Sequence, residues 1–414
     1  MNTNVTPFVF PSKIGAGTRA MAHLPYDLSG FGAVRPMVVC LESVDTDGEL
    51  NPLEDAFRGS GLTFGVYAME ATPTMETVRE AWTHYHEGGF DAVIAVGGAV
   101  VMDVAKCLAV AGANTPDLLR EMLNTGGTVS KTVPFAWVPT LDAMCGDSAP
   151  QACLGGKQIN GEALVPNLIA IDPRMLSSRD PYTMAEAGLG ALATALCLYE
   201  EGEIHGLIRP YVQLSVRQVM AGLLPLMGPQ KTPSKGALRW FPKEKGREEE
   251  VAYVTAMAVA GALEPLAKKS LTFSLANALA PLSRVSTEVL AGVLLPWLLN
   301  HVHEQKEREL SSMLMALGDM EHLCATPDPQ RTGAALALLQ EKINRIWLGT
   351  GARLPRTLKK AGIPRERLLE CSQGVAEAIE GWHAHEIEAL LLTAYEGRRV
   401  HPEMLKNGFM QEVV

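Results

Sequence analysis

Two adjacent glycines, Gly97 and Gly98, end the apolar run Ala92-Val93-Ile94-Ala95-Val96, and the helical stretch Ala99-Val100-Val101-Met102-Asp103-Val104-Ala105-Lys106 begins directly after them. Without side chains, such residues let backbone N–H groups approach an anion closely, and a helix N-terminus adds partial positive charge. A pyrophosphate is the ligand this arrangement suits. On its own, a glycine pair at a strand-to-helix turn is equally compatible with backbone geometry alone. Glu42 supplies the other half of the argument, because it closes the apolar run Pro36-Met37-Val38-Val39-Cys40-Leu41. A carboxylate at a strand end can accept both hydroxyls of an adenosine ribose and repel a 2′-phosphate, which favours NAD over NADP. Its alternative is an exposed strand-end acid with no ligand.

Other reactive side chains are scattered. The seven cysteines have no CxxC spacing and are odd in number, so a disulfide framework is not expected. Cys145 and Asp147 share a loop expected at the mouth of the site, but no histidine is adjacent to activate a thiol, and a structural thiol is the reading preferred. The pairs His84/His86, His301/His303 and His383/His385 are two residues apart on expected helices, where such side chains diverge, and are read as surface or interface histidines.

Composition bounds the classes. A chain of 414 residues exceeds what one hydrophobic core usually supports, and 47% hydrophobic with 20% charged residues describes a packed globular body. The net charge of −10 argues against a phosphate-backbone binder, so no nucleic-acid partner is expected. The local basic stretch from Lys231 to Arg247 turns acidic at Glu248, as a solvated loop entering a helix does. The first residues lack a basic start followed by an apolar run, and no stretch reads as long enough to cross a bilayer. A cytoplasmic protein without a membrane partner is expected.

The elements that must position these residues alternate. Strands are expected at 36–42, 62–69, 90–98, 135–139 and 168–172, with helices at 53–58, 74–86 and after Gly98, and a hairpin within 153–162. Thr74 is the expected N-cap of its helix. From Pro181 the texture becomes helical, with segments at 183–201, 211–226, 248–267, 271–280, 286–304, 305–317, 332–348, 354–361 and 365–395. The fold class is therefore an α/β nucleotide-binding domain with a parallel sheet, residues 1–180, followed by an all-α domain, residues 181–414.

Residues Gly97 to Lys106 carry a resemblance. They are similar to the GGGSxxDxAK loop of the iron-type (group III) alcohol dehydrogenases, within the dehydroquinate synthase-like superfamily, keeping Gly97, Gly98, Asp103, Ala105 and Lys106 while Ala99 and Val100 replace a glycine and a serine. The opening FVFPSKIGAGT, ATPTMETV, NLIAIDPRML and LPRTLKKAGIP resemble further family segments in order along some ~350 residues. The resemblance implies a dinucleotide contacting Glu42, Gly97, Gly98, Ala99, Asp103, Lys106, Thr140 and Lys157, and a homodimer. Thr140 stands in PTLDAMCGD, where the family has PTTAGTGSE, so the nicotinamide end has changed most.

The resemblance also implies one divalent metal held by an Asp and a His four residues apart on a helix and by two later histidines. Those positions here are Gly190, Thr194, Phe273 and Thr287, with Asn277 at an intervening cleft histidine, so no divalent metal is expected. Glu186 and Glu288 are the residues from which a relocated site could be made. One function is a metal-free NAD(H)-dependent oxidoreductase acting on a small alcohol, aldehyde or keto substrate, with Asp142, Asp147, Lys157, Glu186 and Arg284 as acid or base candidates. The other is a pseudoenzyme that keeps the fold as a nucleotide sensor or assembly subunit.

Overall fold

The computed structural model describes residues 8, 10–70, 72–176, 181–200, 204–227, 247–318, 320–351 and 353–397. These form two compact units. The first takes the described residues within 1–187, 221–226 and 230–265, and the second those within 188–220, 227–229 and 266–414.

The first unit is built on a six-stranded sheet of β1 (Lys13–Ala16), β2 (Pro36–Leu41), β3 (Gly65–Met69), β4 (Ala92–Val96), β5 (Phe135–Val138) and β8 (Leu168–Ile171). The spatial order is β1-β8-β5-β4-β2-β3 and every pairing is parallel. Parallel strands covered on both faces need continuous apolar runs, which is why β4, β5 and β8 are buried throughout. On one face Val38, Cys40, Ile94, Val96, Ala136 and Val138 share a core with Leu53 and Phe57. Each valine, isoleucine, leucine or phenylalanine among them contributes about 1.5–3 kcal/mol when taken from water. A separate antiparallel hairpin, β6 (Gln151–Leu154) with β7 (Lys157–Asn160), lies where the glycine-bearing segment predicts one.

The connecting helices are α1 (Leu24–Gly30), α2 (Glu42–Thr46), α3 (Asn51–Phe57), α4 (Met75–Glu87), α5 (Ala99–Ala113), α6 (Pro116–Thr125) and the single turn α7 (Cys145–Ser148). The Thr74 side chain caps α4 by accepting the Thr77 N–H at 3.1 Å. Residues 43–52, between the expected strand at 36–42 and the expected helix at 53–58, include most of α2 and the start of α3, which has Pro52 in its first turn.

The helical remainder comprises α8 (Pro181–Leu196), α9 (Arg209–Leu226), α10 (Glu248–Ala267), α11 (Leu271–Leu279), α12 (Thr287–His301), α13 (Glu307–Leu317), α14 (Met320–Ala325), α15 (Arg331–Gly349), α16 (Leu368–Ala378) and α17 (Ala384–Glu396). Helix α10 belongs to the first unit as far as Pro265, where the Tyr253 hydroxyl donates to Met184 O at 3.0 Å. Contrary to the sequence expectation, α10 is long and apolar enough to span a bilayer by length and composition. Its Tyr253, Val254, Ala256, Met257, Ala258 and Ala260 are fully buried within the protein, as in a core helix.

Two helical expectations fail in the second unit. Residues 354–361 form turns, because Pro355 interrupts the backbone and Leu358 N donates to Ala394 O instead of to a helical partner. Residues 365–395 divide into α16 and α17, since Ile379 is extended and Gly381 has φ +86°. The basic stretch from Lys231 to Lys245 lies outside the described residues.

Replacing Thr74 with alanine is expected to lower unfolding free energy by about 1 kcal/mol through loss of the α4 cap. Urea unfolding measures it, and an unchanged midpoint would show that this cap does not stabilise the sheet's covering layer.

Candidate functional site

Strand β2 leads through α2 and α3 to β3 on one side, whereas β4 leads through α5 and α6 to β5 on the other. Because β2 and β4 are neighbours, their carboxyl ends bound the crevice of a topological switch point, where open parallel sheets bind ligands. The register Val39↔Ala95 sets the two strand ends side by side. Glu42 follows β2 immediately and is exposed, and Gly97-Gly98 follow β4. The two residue groups singled out from sequence are thus brought to one crevice.

The glycines there answer to geometry. Gly97 has φ +144°, a conformation that side chains resist, and its carbonyl accepts the Trp137 indole N–H at 2.8 Å. Gly98 is the N-cap of the 15-residue α5 and has no side chain with which to satisfy the first-turn N–H groups. Ala99 and Val100 are half-buried in that first turn.

The loop after β5 closes over the same turn. A Cβ on Gly98 would lie 2.4 Å from Asp142 O and 2.9 Å from Asp142 Cγ, so only glycine allows this approach. The buried Thr140 hydroxyl donates to the Asp142 carboxylate, and Ala143 N donates to Thr140 O at 3.1 Å, which fixes residues 140–143 as a turn. Asp142 entered the sequence reading only as an acid or base candidate. Its approach to Gly98, like the Trp137 bond to Gly97, joins residues about forty apart, and no local pattern signals it.

Lys106 and Asp103 face away from a ligand role in this state. Lys106 is 1% exposed, and its Nζ donates to the carbonyls of Gly146 at 3.0 Å, Ala149 at 2.8 Å and Gln151 at 2.7 Å. Three donors meet three acceptors. Burial pushes the ammonium down to about 8, opposed by the charges of Asp147, Asp103 and Glu264. Asp103 accepts the Cys153 N–H at 2.9 Å and so holds the first strand of the hairpin, and burial raises its carboxyl.

Asp147 is 3% exposed and accepts the Met144 N–H at 2.8 Å, so it does not stand at an open mouth. Burial raises its carboxyl well above the usual range, against that hydrogen bond and the Lys106 charge. Cys145 is likewise buried. Lys157 is exposed on β7 and donates to Asn124 Oδ1 of α6.

In the second unit Gly190 and Thr194 are buried on α8, Phe273 is buried in the first turn of α11, and Thr287 opens α12 half-exposed. A Cβ on Gly190 would lie 2.9 Å from Glu288 Cγ and 3.0 Å from Glu288 Cβ. Glu288 thus fills the space that a longer residue at 190 would need. Gly190 and Phe273 offer no ligand atom, the hydroxyls of Thr194 and Thr287 are weak ones, and Asn277 is exposed. These residues do not fit a divalent ion. Among the described residues, no group of three or more His, Cys, Asp or Glu side chains is placed to hold a metal.

The histidine pairs are partly as expected. His84 and His86 are exposed on α4, with His86 stacked on Trp82 at 5.2 Å. His301 is partly buried beside Trp382 at 5.3 Å, and burial lowers its pKa. His383 and His385 do not diverge: their rings stack at 5.7 Å, because His383 is the extended N-cap of α17 and lies outside the helix.

The six-stranded parallel sheet with its covering helices defines a protein of the α/β class joined to a helical unit. Residues 11–173 match the sequence profile of the family described as iron-containing alcohol dehydrogenase. The chain is 21% identical over 373 residues to long-chain-alcohol dehydrogenase 1 of Geobacillus thermodenitrificans, spanning 88% of this chain and 89% of that protein. Among solved structures, 1,3-propanediol oxidoreductase superposes with a TM-score of 0.70 at 16% identity, covering 95% of this chain and all (100%) of that one. Maleylacetate reductase from Rhizobium sp. does so with a TM-score of 0.68 at 18% identity, covering 96% and 100%. Over residues 11–173 the chain is thus similar to the iron-containing alcohol dehydrogenase family, and its fold is that of these structures.

Replacing Lys106 with methionine is expected to cost about 3–5 kcal/mol of stability, since it strands three carbonyls and the buried Asp147. Thermal unfolding checks this, and a variant as stable as the parent would contradict the bracing role.

Proposed function

We propose that this protein is an NAD(H)-binding oxidoreductase of the iron-containing alcohol dehydrogenase type that acts on a small alcohol, aldehyde or keto substrate without the usual divalent metal. The observation that carries the nucleotide half is the placement of Glu42 and the Gly97-Gly98 turn at one switch-point crevice. The α5 N-terminus would face the diphosphate, and Glu42 would accept the adenosine ribose hydroxyls and disfavour a 2′-phosphate. When bound, the nicotinamide supplies the hydride acceptor or donor. Support for an oxidoreductase comes from the family and from relatives named as alcohol dehydrogenases and a lactaldehyde reductase of Escherichia coli.

The metal-free half is supported by Gly190, Thr194, Phe273 and Thr287 at the positions where the family resemblance places ligands, and by Glu288 packed beneath Gly190. That packing equally favours a second reading, a pseudoenzyme that serves as nucleotide sensor or assembly subunit. A homodimer in the cytoplasm, without nucleic-acid or membrane partners, completes the proposal, and the net charge of −10 supports its nucleic-acid part.

Calorimetric titration of EDTA-treated protein is expected to show NADH bound in preference to NADPH, a preference narrowed at least tenfold in E42A. Iron or zinc is expected to leave the melting temperature unchanged, and a metal-dependent rise contradicts the metal-free reading. NADH oxidation with small aldehydes or keto acids in that preparation supports the enzyme. NADH binding without turnover across those classes supports the pseudoenzyme.

A further inference from the structure

We propose that Asp142 is a built-in anion at the phosphate turn, placing a like charge beside the position a nucleotide diphosphate would take and thereby setting the crevice's affinity for such ligands low. This rests on the nucleotide reading above and specifies how that site is tuned.

Three observations meet at this residue. First, the Asp142 backbone and side chain lie directly against Gly98, with its Cγ 2.9 Å and its carbonyl oxygen 2.4 Å from the point a Cβ would occupy. The carboxylate therefore stands within a few ångströms of the turn that enters α5. Second, the Thr140 hydroxyl, the one cofactor-contact candidate in this loop, donates to the Asp142 carboxylate and is not free for a ligand. Third, the lysines nearest in the candidate set do not offset the charge by contact. Lys106 is committed to three backbone carbonyls, and Lys157 to Asn124.

The physical consequence follows from charge. A carboxylate near a helix N-terminus is itself favoured by the helix dipole, so the turn stabilises Asp142 in place. A diphosphate arriving at the same N-terminus meets a like charge within a few ångströms at a partly desolvated site, and like charges there are costly. Either the carboxylate is displaced, with loss of the Thr140 hydrogen bond, or the ligand binds with that repulsion. Both lower affinity. A neutral residue at 142 removes the penalty.

The test is calorimetric titration of the full chain with NADH, comparing wild type with D142N and D142A at one salt concentration. D142N keeps the volume and an acceptor for Thr140 while removing the charge, so it remains informative if D142A fails to fold. The expected result is NADH binding at least tenfold tighter in D142N, and in D142A if it folds, than in wild type. If wild type binds NADH and D142N binds it equally or more weakly, the nucleotide reading stands and the role given to Asp142 is overturned. If neither wild type nor D142N binds NADH, both fall.

Discussion

The buried ammonium of Lys106 is the interaction on which the sheet-bearing unit depends. Its three carbonyl partners, Gly146, Ala149 and Gln151, tie α5 to the segment that follows β5 and leads into the hairpin. A charge this deeply buried is tolerated only when its donors are satisfied, so its position is fixed in space. With α5 held at that depth, its N-terminus must end at the Gly97-Gly98 turn, and Asp103 reaches the hairpin backbone. The Trp137 indole then clamps the Gly97 carbonyl from β5. One cation thus orders the floor of the crevice without entering it.

The same economy of small residues recurs in the second unit. Gly190 permits the close approach of Glu288, and a ligand-bearing side chain at 190 would have to displace it. On the reading proposed here, the family's metal chemistry and this packing are alternatives that cannot coexist in one geometry. Asp142 over Gly98 has the same character, since an acidic side chain stands where an anionic ligand is expected.

Much of the sheet was legible because its determinants are local. The apolar runs ending at Leu41 and Val96 are stopped by Glu42 and Gly97, and α10 begins at Glu248 and ends at Ala267, as its apolar pattern predicts. The turn at 354–361 was hidden because it is set in part by a tertiary partner, the Ala394 carbonyl, whereas the break before α17 has a local signal in Gly381, whose φ is +86°. In the site, Glu42 and Gly97-Gly98 could be read from strand ends. The burial of Lys106 and Asp147 and the position of Asp142 could not, since each depends on atoms about forty residues away in sequence, or on packing with no periodic signature. The metal-ligand positions came from resemblance alone, and the packing beneath Gly190 has no trace in the residue order.

The central claim is that a nucleotide diphosphate is received at the turn between β4 and α5. Amide hydrogen exchange with and without saturating NADH tests it most directly. Slowed exchange confined to residues 97–101 and the stretch after Leu41 is the predicted result. Protection that leaves those amides untouched while appearing elsewhere in the chain would contradict it.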